Sequence, residues 1–249
     1  YMHSFAQTSK YIIFFEFPLH WEIMNIVLSE RILPDMKWMP KNGTRVRVIS
    51  KESWKVVKEY TMKAFFAYHH INAFEKGDNV IVDISTVPCD YPGSSGPASC
   101  DHMNAFNLDT LPNNTWQIPP NSIWRITVPV TAEKDAQITS RELTDASFDL
   151  PMLNGEYRGK PYRFVYGVSD HGKGVWWNGL IKVDLETGEK KEWYQAGHYP
   201  SEPNFIARPG SEAEDDGVLL STVLAGDLNT SYLLVLNATT MEPMGRALA

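Results

Sequence analysis

Three histidines sit where an imidazole needs a partner. His3 lies just before the dense apolar run Tyr11-Ile12-Ile13-Phe14-Phe15-Glu16-Phe17, and His69 and His70 lie in Phe65-Phe66-Ala67-Tyr68-His69-His70-Ile71-Asn72-Ala73-Phe74-Glu75. Burying a neutral ring among aromatics requires hydrogen bonds or a metal ion. Adjacent residues of a strand point to opposite faces, so one of His69 and His70 at most faces a given site. On these residues alone, a metal ligand and a core histidine bonded to backbone are equally open. A structural or exposed place is the one expected for His70, His102, His171 and His198. No H-E-x-x-H helix, P-loop, G-x-G-x-x-G or G-x-S-x-G is present, which removes the usual zinc-protease, nucleotide and α/β-hydrolase signatures.

The elements that would position these side chains are short strands. Pro18 closes the run from Tyr11 to Phe17. Residues 44–49 and 54–58 alternate polar and apolar around a polar turn, a hairpin pattern. Residues 79–84, 122–128, 218–224 and 232–236 also read as strands. Residues 180–185 and 190–194 flank Glu186-Thr187-Gly188-Glu189, where Gly188 suits a turn position with positive φ. Trp21 to Leu33 has apolar residues at roughly helical spacing and is expected as a short amphipathic helix ended by Pro34. Long loops are expected at Cys89 to Asp101 and Leu111 to Asn121. Many short strands separated by turns indicate an all-β fold, with propeller, sandwich and barrel as candidates.

Composition sets the outer limits. The chain has 249 residues, 43% hydrophobic and 21% charged, enough for a sizeable core. A net charge of −7 without a Lys/Arg cluster argues against nucleic acid as a partner. Two cysteines cannot build a disulfide framework. No apolar run reaches the roughly 18 residues of a spanning helix. No leader pattern opens the sequence, and both ends read as cuts within a longer chain.

Four segments, in order, resemble the carotenoid cleavage oxygenase family, which includes the retinoid isomerohydrolase of the vertebrate eye. They are Met2-His3-Ser4-Phe5-Ala6-Gln7-Thr8 with Tyr11-Ile12-Ile13-Phe14; His69-His70-Ile71-Asn72-Ala73-Phe74-Glu75; Phe148-Asp149-Leu150-Pro151 with Tyr157-Arg158-Gly159-Lys160-Pro161-Tyr162-Arg163-Phe164-Val165-Tyr166-Gly167; and Tyr199-Pro200-Ser201-Glu202-Pro203 with Arg208-Pro209-Gly210 and residues 214–221. The resemblance implies an all-β fold, part of a seven-bladed β-propeller with a helical and loop cap, truncated at both ends. Residues 1–249 would form a single partial domain carrying middle to late blades.

The resemblance also implies a non-haem Fe(II) held by four histidines. His3 and His69 match two of these ligands, and the other two match segments outside this chain. A carboxylate fixes the second ring nitrogen of such a ligand. Asp149 matches the partner of His69, and Glu202 matches the partner of an absent histidine. Most family members carry glutamate where this chain has Asp149. Aspartate is shorter by about 1.5 Å, so either a water bridges to His69 or the strand sits closer. Glu75 and Arg163 read as residues of blade structure. The implied reaction adds dioxygen across one double bond of a carotenoid or apocarotenoid, giving two carbonyl products, with no side chain required as general acid or base. A retinoid substrate handled by isomerohydrolase chemistry is the first alternative, and a non-catalytic lipid-binding propeller is the second. The expected location is cytoplasmic, with Trp21 to Leu33 either touching a membrane surface or packing on the propeller.

Overall fold

The computed structural model describes residues 2–21, 36–87, 89, 121–131, 136–171 and 176–248. They form antiparallel sheets that follow one another along the chain. The first is built from β1 (Ala6–Gln7), β2 (Tyr11–Glu16), β5 (Thr44–Ser50) and β6 (Val56–Met62), paired in that order. Between β2 and β5, the strands β3 (Leu19–Trp21) and β4 (Met36–Trp38) form a separate two-stranded ladder. The second sheet runs β7 (His70–Lys76), β8 (Asn79–Thr86), β9 (Ser122–Pro129) and β10 (Thr139–Thr144). The third runs β11 (Asp149–Met152), β12 (Phe164–Ser169), β13 (Gly179–Asp184) and β14 (Lys190–Tyr194). The fourth contains β15 (His198–Pro200), β17 (Gly217–Ala225), β18 (Thr230–Asn237) and β19 (Pro243–Leu248), with β16 (Asn204–Ala207) also paired to β17. No α-helix occurs among the described residues.

Apolar side chains on both faces of the strands hold successive sheets together. On β8, Val80, Val82 and Ile84 join Ile13, Phe15, Val46 and Val48 of the first sheet in one core. Ile81, on the opposite face of β8, joins Ile123, Phe148, Val165, Ile181 and Val183 in the next. Tyr166, Val168 and Leu180 continue against Leu219, Val223, Leu234 and Leu236. Period-two geometry sends alternate residues to opposite faces, so a strand between two sheets must be apolar on both. Each fully buried Val or Ile contributes roughly 1.5–3 kcal/mol. This serial face-to-face packing is the one a propeller uses, and the alternatives of sandwich and barrel fall away.

One buried charge staples the second sheet to the third. Asp83, fully buried on β8, receives two bonds from the Arg125 guanidinium at 2.7 and 2.8 Å and one from the Tyr162 hydroxyl at 2.7 Å. Burial and the neighbouring carboxylate push the Tyr162 phenol well above its ordinary pKa. Gly188 has φ 76°, as the β13–β14 turn requires. The Asp184 carboxylate accepts from the amides of Glu186 and Thr187 within that turn.

One sequence expectation changes at its first residue. Trp21 ends β3 and pairs with Met36 instead of opening a helix; the rest of the expected helix lies outside the described residues. Most of the two expected long loops also lies outside them. No described helix is long and apolar enough to cross a membrane.

Candidate functional site

The first strands of neighbouring sheets lie side by side, β1 against β7 and β7 against β11. Residues just before or at the start of these strands therefore converge. His3 precedes β1, His69 immediately precedes β7, and Asp149 opens β11. The rings of His3 and His69 stand nearly perpendicular, with centroids 5.0 Å apart. His69 lies just before its strand and not within it, so its orientation is set by the entering chain, whose carbonyl at His69 accepts from the Ser85 amide at 3.0 Å. His70 leads away from this site into the core, where its ring lies 5.3 Å from that of Phe15.

The Asp149 carboxylate fixes His69. Oδ1 lies 2.6 Å from His69 Nδ1, and Asp149 is only 2% exposed. A carboxylate accepts, so Nδ1 carries the proton and Nε2 keeps its lone pair. Oδ1 also accepts from the Leu150 amide, and Oδ2 accepts from Asn121 Nδ2, each at 2.8 Å. Three donors thus hold one buried carboxylate. The His3 imidazole titrates below its ordinary value, because it has lost part of its solvent and because it faces His69, with Asp149 opposing both.

The shorter aspartate reaches His69 directly, from an irregular stretch of backbone. The β11–β12 register shifts between Asp149 and Met152, and Leu150 takes a left-handed φ of 48°. Gly167 of β12 makes room for this irregularity. A Cβ there would lie 2.5 Å from the Asp149 carbonyl oxygen and 2.7 Å from the Phe148 ring. From the neighbouring sheet, Ser85 Oγ donates to the Phe148 carbonyl at 2.6 Å and ties down the residue before Asp149.

Glu202 stands apart from this group. It is exposed, between β15 and β16, and no described side chain engages its carboxylate. It lines a cavity of about 740 Å³ together with Leu150, Trp176, Trp177, Tyr199 and Leu224. Leu150 is the residue after Asp149, but His3, His69 and Asp149 are not themselves part of this lining. Among the described residues, no cluster of three or more His, Cys, Asp or Glu side chains is arranged to hold a metal ion. His198 is a core residue, bonded to Gln195 and to the Tyr232 hydroxyl, and His171 stacks on Tyr194 at the surface. Glu75 ties the turn after β1 to β7, accepting from Thr8, Ser9 and the Lys10 amide. Arg163 pairs with Asp184. Sequence reasoning missed Asn121, because a lone asparagine at the end of a loop reads as a turn residue.

The sequence profile of the RPE65 family, retinal pigment epithelial membrane protein, matches residues 1–249. The chain belongs to this family. Among RPE65-family relatives, a carotenoid isomerooxygenase of Galleria mellonella is 31% identical, over 99% of this chain and 49% of its own length. The mitochondrial carotenoid-cleaving dioxygenase of Homo sapiens is 31% identical, over 99% of this chain and 48% of its own. The chain therefore spans about half the length of these curated relatives. The crystal structure of cobalt-substituted Synechocystis ACO superposes with a TM-score of 0.81 at 24% identity, covering 100% of this chain and 50% of that one. That likeness establishes the sheets as blades of the β-propeller fold shared by these enzymes.

Proposed function

We propose that this RPE65-family protein is a non-haem Fe(II)-dependent dioxygenase that cleaves a double bond of a carotenoid or apocarotenoid into two carbonyl products. The observation that carries this reading is the convergence of His3, His69 and Asp149 from three consecutive blades. Membership of a family with carotenoid-cleaving relatives supports the substrate class. The donor set fits the metal. Two neutral imidazoles suit ferrous iron, and the carboxylate on His69 Nδ1 leaves Nε2 as the ligating atom. His3 and His69 would hold the ion, with two further histidines expected in segments outside these residues.

Iron, when bound, would supply the activation of dioxygen. The chain's own residues do the rest. Asp149 holds the His69 ring in one tautomer, and Asn121 holds Asp149. Glu202 would orient one of the further histidines. The cavity beside Leu150 has the size of an ordinary ligand site. Its walls of Trp176, Trp177, Tyr199 and Leu224 suit an apolar polyene. The segment from Trp21 to Leu33, outside the described residues after Trp21, would touch a membrane surface from which a water-insoluble substrate is drawn.

The test uses full-length protein purified anaerobically with Fe(II), beside His69→Ala. Stoichiometric iron and cleavage of β-carotene or an apocarotenal, both lost in H69A, is the expected result. A folded wild type that holds no iron overturns the reading in favour of a lipid-binding propeller. Retinyl ester turnover without polyene cleavage moves the protein to isomerohydrolase chemistry. Flotation with liposomes, compared with a variant in which Ile23, Ile26 and Val27 become serine, tests the membrane contact.

A further inference from the structure

Ser4 follows His3 in the chain, and Tyr68 and His70 flank His69. One hydroxyl joins these two stretches. Ser4 Oγ lies 2.7 Å from the Tyr68 carbonyl oxygen, 3.0 Å from the His70 amide nitrogen and 2.7 Å from His70 Nδ1. A hydroxyl has one proton and two lone pairs. A carbonyl only accepts and an amide N–H only donates. Ser4 therefore donates to Tyr68 and accepts from the His70 amide, and its remaining lone pair accepts from His70 Nδ1–H. The hydroxyl is saturated, and it brackets His69 from both sides.

The local backbone gives this tie its weight. β1 is only two residues long and pairs with β2 through Ala6 and Gln7 alone, so His3 and Ser4 lie beyond its ladder. His69 lies outside β7. Neither ligand segment lies within a continuous ladder, and the Ser4 bonds link one to the other. The His70 ring is used in one direction only. Its Nε2 is buried with no hydrogen-bond partner among the described residues, which is a cost to the fold. Phenylalanine would fill the same space beside Phe15 without that cost. What an imidazole adds there is the Nδ1–H bond to Ser4.

We infer that Ser4, supported by His70, is a positioning residue that sets the 5.0 Å spacing of the His3 and His69 rings. The inference rests on the reading of those two residues as metal ligands. Ser4 spends its proton and both lone pairs on protein partners. It acts by fixing the His3 segment to both neighbours of His69.

The test compares full-length wild type with Ser4→Ala, Ser4→Thr and His70→Phe. Circular dichroism and thermal unfolding of the metal-free proteins establish folding. Anaerobic titration with Co(II), followed by visible absorption, reads both affinity and ligand geometry. S4A is expected to fold, to bind Co(II) about tenfold more weakly and to show altered bands. S4T keeps the hydroxyl and is expected to restore both. H70F keeps the ring packing but loses the Nδ1–H bond, and is expected to weaken binding severalfold. Wild-type affinity and bands in S4A, or an S4T that behaves as S4A, overturn the inference. Should S4A fail to fold, folded H70F with wild-type affinity and bands overturns it. A wild type that takes up no Co(II) instead defeats the ligand reading itself, and this inference with it.

Discussion

Removing the Asp149 carboxylate separates its two tasks, holding His69 and holding itself in place. In Asp149→Ala, His69 Nδ1, the Leu150 amide and Asn121 Nδ2 lose their shared acceptor, in a place only 2% exposed. A buried donor left unpaired costs about 1–3 kcal/mol. Two of the three are backbone or side-chain amides held in the interior, so the apo protein should lose about 2–5 kcal/mol of stability. The His69 ring is then free to rotate, and the affinity for Fe(II) or Co(II) should fall about 10–100-fold. Asp149→Asn divides these effects. Its carbonyl oxygen still accepts from His69 and Leu150, and its NH₂ faces Asn121, which turns its amide over to accept. Geometry survives and charge is lost. Bonds to an ion are worth about 1.5–3 kcal/mol against 0.5–1.5 for neutral ones, so D149N should lose about 1 kcal/mol of metal affinity, about fivefold. The assay is anaerobic Co(II) titration of the full-length variants, with urea unfolding of the metal-free forms. The reasoning is refuted if D149A weakens binding by less than about threefold, or if D149N falls as far as D149A.

Other expectations follow from the same contacts. Gly167→Ala places a Cβ 2.5 Å from the Asp149 carbonyl oxygen. It should cost about 1–3 kcal/mol and weaken Co(II) binding by displacing Asp149, while Gly188→Ala, remote from the site, should leave Co(II) binding unchanged. Asp83→Ala leaves Arg125 and Tyr162 without their buried acceptor; urea unfolding should show a loss of about 3–5 kcal/mol, and the folded fraction should retain its metal affinity. Arg163 holds the Asp184 carboxyl well below the usual carboxylate range. A depressed folded-state pKa gives stability that is present above the unfolded value, about 3.9, and is lost as pH falls below it. Thermal unfolding of wild type and Arg163→Met should therefore differ at neutral pH and converge in acid, and a constant difference down to pH 2 would contradict the pairing.

Much of this fold is legible because buried strands announce themselves. β2, β8 and β13 are apolar on one or both faces, and the β13–β14 turn carries its glycine where φ is positive. Strands without an apolar face stayed hidden. β10 is Thr-Ser-Arg-Glu-Leu-Thr with most residues exposed, and β19 is exposed throughout. Their pairing comes from the neighbouring strand and not from their own pattern. The site divides in the same way. His3, His69 and Asp149 were available from motif resemblance, and the structure brings them together. The direct reach of Asp149 to His69 starts from a register shift beside a left-handed Leu150, and neither irregularity has a sequence signature. Asn121 and Ser4 act through contacts distant in sequence, from residue types that are ordinary in loops and turns.

The position of the site follows from the way the sheets are joined. In a serial array of antiparallel sheets, the chain leaves the last strand of one sheet and returns to start the first strand of the next. The residues just before or at the start of β1, β7 and β11 are therefore brought to one end of adjacent strands. That end supplies His3, His69 and Asp149. The ladders behind them are rigid, but His3 and His69 are not part of those ladders, and Asp149 stands at the last pair before the β11–β12 register shift, so their side chains need fixing by other means. The means observed are a carboxylate clamp on His69, a serine linking two entry segments, and a glycine that makes room for a bulge. Blade cores can therefore vary in sequence provided they stay apolar, whereas each of these ties depends on one particular atom. Substitutions in the cores should lower stability and leave metal affinity of the folded protein intact. Substitutions at Ser4, Asp149 or Gly167 should weaken the metal affinity of the protein that remains folded, whatever they also cost in stability.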